Sequence, residues 1–461
     1  FGDFNGDGRS ELFYKINPTS RLFTFGASTP GNLLKTIING HGAKTNIAYA
    51  PMSSASVYTK GTGANYPLMD AGASIQLVSS VATDNGTATP TTVSYSYNGA
   101  KVHQEGRGFL GFSKITAFNS ADGVTTESNF TFENTNFYSQ LSSITRKKGG
   151  VWLSAENFTW GKQTILGKRI FPYLNTQSKT DHLTGQNSST GYYYKPSHGN
   201  IDFINTVYAS GHTEKVQYTY NNELPNNPKY LIGRPTSIDE TYIREGVTTT
   251  KKITRTYSQN SNAVILQTHN PGDAAEWKTE FEYDNFGNVK KETIMATGIA
   301  SQVNEFTYDD KGVNLVKVKD VNLGNENNYT YYAATGLLYE QTDAFGNKTT
   351  YTYNNADQPF TITPVNGVTR TITNSYNISG GPSGARYFLQ VSGSDGTLQK
   401  SWHNIIGAEI RTETKGFNSS MIKTDKQYLP DGRLERYSEP TTGTPSNWNT
   451  LGYRTFDNQN Y

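Results

Sequence analysis

Polar and apolar residues alternate with a period of two along much of the chain. Thr92-Val93-Ser94-Tyr95-Ser96-Tyr97 is one such stretch, and residues 278–283 and 349–353 are others. Alternation sends successive side chains to opposite faces of an extended strand, so these stretches predict half-buried β structure. Few windows place apolar residues at i, i+3, i+4 and i+7 over three turns, and helices are not expected. The alternating stretches end at Asn98-Gly99, Asp122-Gly123, Gly287-Asn288 and Asp431-Gly432. Such pairs supply the positive φ angles that tight hairpin turns require. The pattern reads strand, turn, strand, many times over.

The second half repeats. Phe281-Glu282-Tyr283-Asp284-Asn285-Phe286-Gly287-Asn288 is one unit, and Phe306-Thr307-Tyr308-Asp309-Asp310-Lys311-Gly312 is the next. Tyr331-Tyr332 and Tyr351-Thr352-Tyr353-Asn354 follow, and Asp343-Ala344-Phe345-Gly346-Asn347 echoes the turn of the first unit. With Tyr283, Tyr308, Tyr331 and Tyr353 as markers the steps are 308−283 = 25, 331−308 = 23 and 353−331 = 22. Weaker members stand at Tyr218-Thr219-Tyr220-Asn221 and at Tyr428 with Asp431-Gly432, and Tyr453 to Asn458 looks like a further unit beginning. One hairpin cannot bury a face alone, so neighbours must add edge to edge. The repeat predicts a continuous sheet.

Composition sharpens this picture. Hydrophobic residues are only 34%, yet aromatics reach 13%, with 31 Tyr and 22 Phe, and 44 Gly provide turn material. A disordered chain would lack those rings, so an extended sheet with much wet surface is expected. The net charge of +2 leaves no electrostatic footprint for nucleic acid or an anionic membrane. Arg146-Lys147-Lys148, beside Gly149-Gly150, reads as a solvated turn. Without cysteine there is no disulfide framework or thiolate site. No apolar run approaches the roughly 18 residues of a transmembrane helix. The chain opens inside a motif, Phe1-Gly2-Asp3, and is expected to be part of a longer protein.

The best candidate site is Asp3-Phe4-Asn5-Gly6-Asp7-Gly8-Arg9-Ser10-Glu11. Side-chain oxygens of Asp3, Asn5 and Asp7, a backbone carbonyl of Arg9 and the carboxylate of Glu11 can wrap a calcium ion in a structural role. With the flanking Phe1-Gly2 it resembles the FG-GAP loop of integrin-type propellers. Gly106-Arg107-Gly108-Phe109-Leu110-Gly111 has the letters of a dinucleotide fingerprint, but β-prone residues follow where a helix should begin. The seven histidines form no metal-binding pair, and His41 between two glycines reads as a turn residue. Asp239-Glu240 point to opposite faces of a strand and cannot act as an acid/base pair. No catalytic constellation is found, and an enzyme is not expected. The tyrosines are read as packing against neighbouring hairpins with their hydroxyls wet; stacking on glycans is the other reading.

The repeat units resemble the RHS or YD repeat, whose signature is a Tyr-Asp step followed by a Gly two or three residues later. Leu33 to Tyr49, and Tyr97-Asn98-Gly99 through Gly111-Phe112, are similar to the segment leading into the shell in B components of insecticidal toxin complexes. The resemblance implies an all-β fold of antiparallel hairpin repeats in a large curled sheet, a cocoon-type shell with a partial β-propeller blade at its N-terminus. It divides the chain into residues 1–30, a blade with the calcium loop; 31–150, the toxin middle-region-like segment; and 151–461, the repeat shell. It implies a non-enzymatic shell of a secreted bacterial protein that encapsulates or presents a C-terminal toxin or effector segment. That segment, or a secretion or delivery machine, would be the partner. The alternative is a cell-surface adhesion or motility protein binding glycans on the same scaffold.

Overall fold

The computed structural model describes residues 4, 11–24, 33–72, 75–165, 167, 169–220, 233–259 and 261–452. Among them lie 36 strands and no helix. The all-β expectation holds. Leu12–Ile16 and Thr19–Phe23 form a two-stranded sheet of their own. Leu68–Asp70, Lys101–His103 and Gly108–Gly111 form a three-stranded one. The main sheet begins at Thr36–Ile38, passes through Lys44–Pro51, Gln76–Thr83 and Thr91–Asn98, and then takes every strand from Lys114–Asn119 to Trp448–Thr450 in chain order. It runs unbroken across residue 150, where Gly149 and Gly150 turn between paired Lys148 and Val151. No pairing among the described residues joins its first strand to its last, so it is an open ribbon and not a closed barrel.

The sheet is a single layer. The one cluster of buried hydrophobic residues among those described is Met52, Val57, Tyr58, Ala71, Leu77 and Ala100, beside the small three-stranded sheet. The accessible surface is 27653 Å², whereas a compact protein of 50.9 kDa would expose roughly 17,000 Å². The excess is what a ribbon wet on both faces must show.

The two faces differ. Glu282, Thr307, Thr330, Thr352 and Gln427 are exposed, while their strand neighbours Tyr283, Tyr308, Tyr331, Tyr353 and Tyr428 are half-buried. Successive residues lie on opposite faces, so the tyrosine face is the more enclosed. The other face carries cross-strand ion pairs such as Lys252–Asp239 at 3.1 Å, Lys317–Glu326 at 3.1 Å and Lys348–Glu340 at 2.9 Å. This pairing absorbs the nearly equal basic and acidic content, though each exposed pair adds only about 0–1 kcal/mol.

One expectation fails here. Arg146, Lys147 and Lys148 are not a turn but the end of strand Tyr138–Lys148. Lys147 bonds Glu127 and lies 4.2 Å from the centroid of Trp152, so cross-strand partners hold these cations in the sheet.

Candidate functional site: the tyrosine ladder and the seam between turns

Three of the turns in the repeat region are built alike. Asp284 Oδ1 accepts the backbone N–H of Phe286 at 2.9 Å and of Asn288 at 2.9 Å, and Asn288 Nδ2 donates to Asp284 Oδ2 at 3.1 Å. Asp343 does the same with Phe345 and Asn347. Asp309 does it across a loop one residue longer, with Lys311, Val313 and Asn314. The Asn347 amide, then its backbone N–H, holds the Asp343 carboxyl below its ordinary range. Gly287 takes φ 92°, open to glycine without steric penalty. These loops are longer than the two-residue hairpins that Asn-Gly and Asp-Gly steps suggest, because the aspartate side chain stands in for backbone pairing.

The tyrosine before the turn marks a bulge. Glu282 pairs with Lys291 but Tyr283 with Val289, leaving Lys290 as an extra residue. The same shift occurs at Tyr194, Tyr220, Tyr257, Tyr308, Tyr331, Tyr353 and Tyr428. A bulge bends its strand and increases its twist. Repeated at one end of hairpin after hairpin, it coils the ribbon.

The tyrosine hydroxyls bind the bulges together. Tyr220 OH donates to Ile201 O at 2.8 Å, Tyr257 OH to Pro235 O at 2.9 Å and Tyr283 OH to Val264 O at 2.7 Å. Ile201 is the residue paired with Tyr194, Pro235 with Tyr220 and Val264 with Tyr257. Each tyrosine therefore satisfies the carbonyl opposite the previous one. Tyr331 repeats this on Leu315, and Tyr428 on Glu409. The expectation that these hydroxyls stay wet is overturned: a half-buried carbonyl at a bulge needs a donor, and the ring reaches it.

The ladder also holds members that sequence reading missed. Tyr97 OH donates to Val78 O at 3.0 Å, and Val78 pairs with Tyr49 across a bulge. In the strand Leu398–His403, His403 takes the tyrosine position and Asn404 that of aspartate, accepting Ile406 N–H at 3.1 Å and Ala408 N–H at 2.9 Å.

Coiling brings distant hairpins into contact. Arg386 Nε donates to His41 O at 2.6 Å, and the His41 ring stacks on Tyr387, which stacks in turn on His403. Asn85 Nδ2 and Thr91 Oγ1 both donate to Pro430 O, at 3.2 and 3.0 Å. His41 lies in a turn, as its glycine neighbours suggest. Roughly 24 strands at about 4.8 Å separate these contacts, giving a circumference of roughly 115 Å and a diameter of roughly 37 Å. The seam marks one full turn of a coil.

The remaining sequence candidates fall as follows. Asp3, Asn5, Asp7 and Arg9 lie outside the described residues. Glu11 is described: it is 2% exposed, and its Oε2 accepts the Phe4 backbone N–H at 2.7 Å. Gly106, Gly108 and Gly111 belong to the hairpin of the small sheet, with no helix after them. Asp239 faces Lys252, while Glu240 accepts from the Tyr242 hydroxyl. Among the described residues no group of three or more His, Asp and Glu could hold a metal.

The fold is a coiled, single-layer β ribbon of aromatic repeats, and the first 142 residues match the family model described as the insecticide toxin TcdB middle/N-terminal region. The N-terminal third of the chain is thus similar to that toxin region. In fold it resembles the crystal structure of TcdB2-TccC3 without its hypervariable C-terminal region, with TM-score 0.68 and 9% identity over 93% of this chain and 34% of that one. The TcdB2-TccC3-TEV structure gives 0.68 at 10% identity over 94% and 34%, and TcdB2-TccC3-Cdc42 gives 0.70 at 9% over 95% and 35%. The chain spans about a third of the length of these structures. No curated protein matches it.

Proposed function

We propose that this chain is a non-enzymatic wall segment of a secreted, hollow β shell that screens a C-terminal effector segment from its surroundings. The observation that carries the reading is the seam: a ribbon without a layered core meets itself after one turn, at His41–Tyr387 and Asn85–Pro430. A coil of that width has an interior, and the more enclosed tyrosine face would line it. Similarity to TcdB2 in a complex with TccC3 supports a toxin-complex partner at the far end of the shell. Limited proteolysis of the full protein tests the reading. The C-terminal segment is expected to survive until the shell is unfolded, and its ready digestion in the native protein would sink the proposal.

The Asp3–Glu11 loop remains proposed as a structural calcium site next to a propeller-type blade. Burial of the Glu11 carboxylate supports it, since a buried carboxylate needs donors or a cation. Calcium is expected to raise the melting temperature of the full protein, and Glu11→Gln to abolish that rise. An equal melting temperature with calcium and with chelator counts against the site.

A further inference from the structure

The tyrosine ladder contains an arginine that it does not use. Arg234, just before strand Pro235–Arg244, is 6% exposed. Its Nη1 donates to Ser258 O at 3.3 Å and to Ser261 O at 3.0 Å, and its guanidinium lies 5.4 Å from the Tyr257 ring centroid. Its Nε has no hydrogen-bond partner. No carboxylate among the described residues pairs with it. Elsewhere Arg411 is held by Asp425 and Glu413, Arg146 by Glu156 and Arg433 by Asp431.

A cavity of about 380 Å³ opens beside it, lined by Arg234, Thr236, Arg255, Thr256, Tyr257 and Ser258. Arg255 brings a second guanidinium, whose Nε donates to Gln267 Oε1 at 2.9 Å and which also has no carboxylate partner among the described residues. Two cations and several hydroxyl-bearing side chains thus share a pocket in which none of the described lining residues is acidic. Taking a guanidinium out of water without a counter-charge is strongly unfavourable, and two backbone carbonyls offset only part of that. Guanidinium groups match the planar acceptor pairs of oxyanions.

We propose that this cavity binds a small oxyanion, the shared chemistry of free phosphate and of a protein carboxylate, between Arg234 and Arg255. The assignment does not depend on the shell reading. Calorimetric titration of the full protein with inorganic phosphate and, separately, acetate, at constant ionic strength, tests it. Saturable binding of at least one anion is expected. Arg255→Gln should weaken it 10-fold or more, while Arg146→Gln, on a distant strand, should leave it unchanged. Arg234→Gln should abolish binding, but the folded-state test rests on Arg255→Gln because Arg234 is buried. Tighter binding of phosphate identifies a free phosphate-type ligand, and binding of acetate at least as tight identifies a carboxylate. No saturable binding of either anion, or an unchanged affinity in Arg255→Gln, overturns the proposal.

Discussion

At Tyr283 the phenolic hydroxyl ends 2.7 Å from the Val264 carbonyl, and burial raises its pKa above the ordinary phenol value. Tyr283→Phe keeps the ring and leaves that carbonyl without its donor. The expected loss is about 1 kcal/mol, felt as faster amide exchange in Val264–His269 and Trp277–Tyr283; unchanged exchange there would contradict the ladder. The turn glycines offer a second test. Gly287 has φ 92° and open space around a Cβ, so Gly287→Ala should cost about 1 kcal/mol from the backbone alone. Gly312 has φ 68°, and its Cβ would also strike the Phe286 ring, so Gly312→Ala should lower the melting temperature further. Glu133 gives a pH dependence. Burial alone would raise its carboxyl, but the Lys162 ammonium and the N–H groups of Asn136 and Thr135 outweigh that and hold it at about 2 against an ordinary 4.5. A depressed carboxyl contributes stability that is complete above pH 4.5 and is lost as the pH falls toward 2. Exchange in the turn of residues 133–137 should rise across that window, and Glu133→Gln should flatten the rise.

At the scale of elements, the alternating stretches and the repeat made the strands, their antiparallel order and the second-half units legible. Each unit is local, so its residues lie within about 25 positions of one another. The first-third members were hidden because no Asx–Gly turn follows Tyr49 and because Gly99 follows Tyr97 by two positions instead of the four of Tyr283 and Gly287, although the bulge at Tyr49 and the hydroxyl bond of Tyr97 are the same. His403 was hidden by substitution at the marker position itself. The seam was beyond sequence reading for another reason: Arg386 and His41 stand 345 residues apart, and only the summed bend of every intervening hairpin brings them together. Arg386→Ala removes the bond to His41 O while leaving each hairpin intact. Exchange should quicken at residues 39–43 and 376–387 and stay constant in strands Trp277–Tyr283 and Val289–Ala296. Uniform loosening of the sheet would mean that the contact does not act as a seam.

At the scale of the molecule, one property joins these observations: the ribbon has two faces and almost no core. Strands need a hydrophobic face or a packing partner to be stable on their own, and coiling gives one face a smaller, shared environment. The chain has no cysteine, so single cysteines report on each face without background. Glu282 lies on the exposed face, whereas Glu292 pairs with Phe281 on the tyrosine face. The most direct measurement is the reaction rate of a polymer-tethered maleimide with Glu282→Cys and Glu292→Cys in the full protein, with a small maleimide as the control for local access. Fast labelling of the first, slow labelling of the second and equal rates after unfolding are expected of a shell with an enclosed face. Equal rates in the folded protein would contradict it.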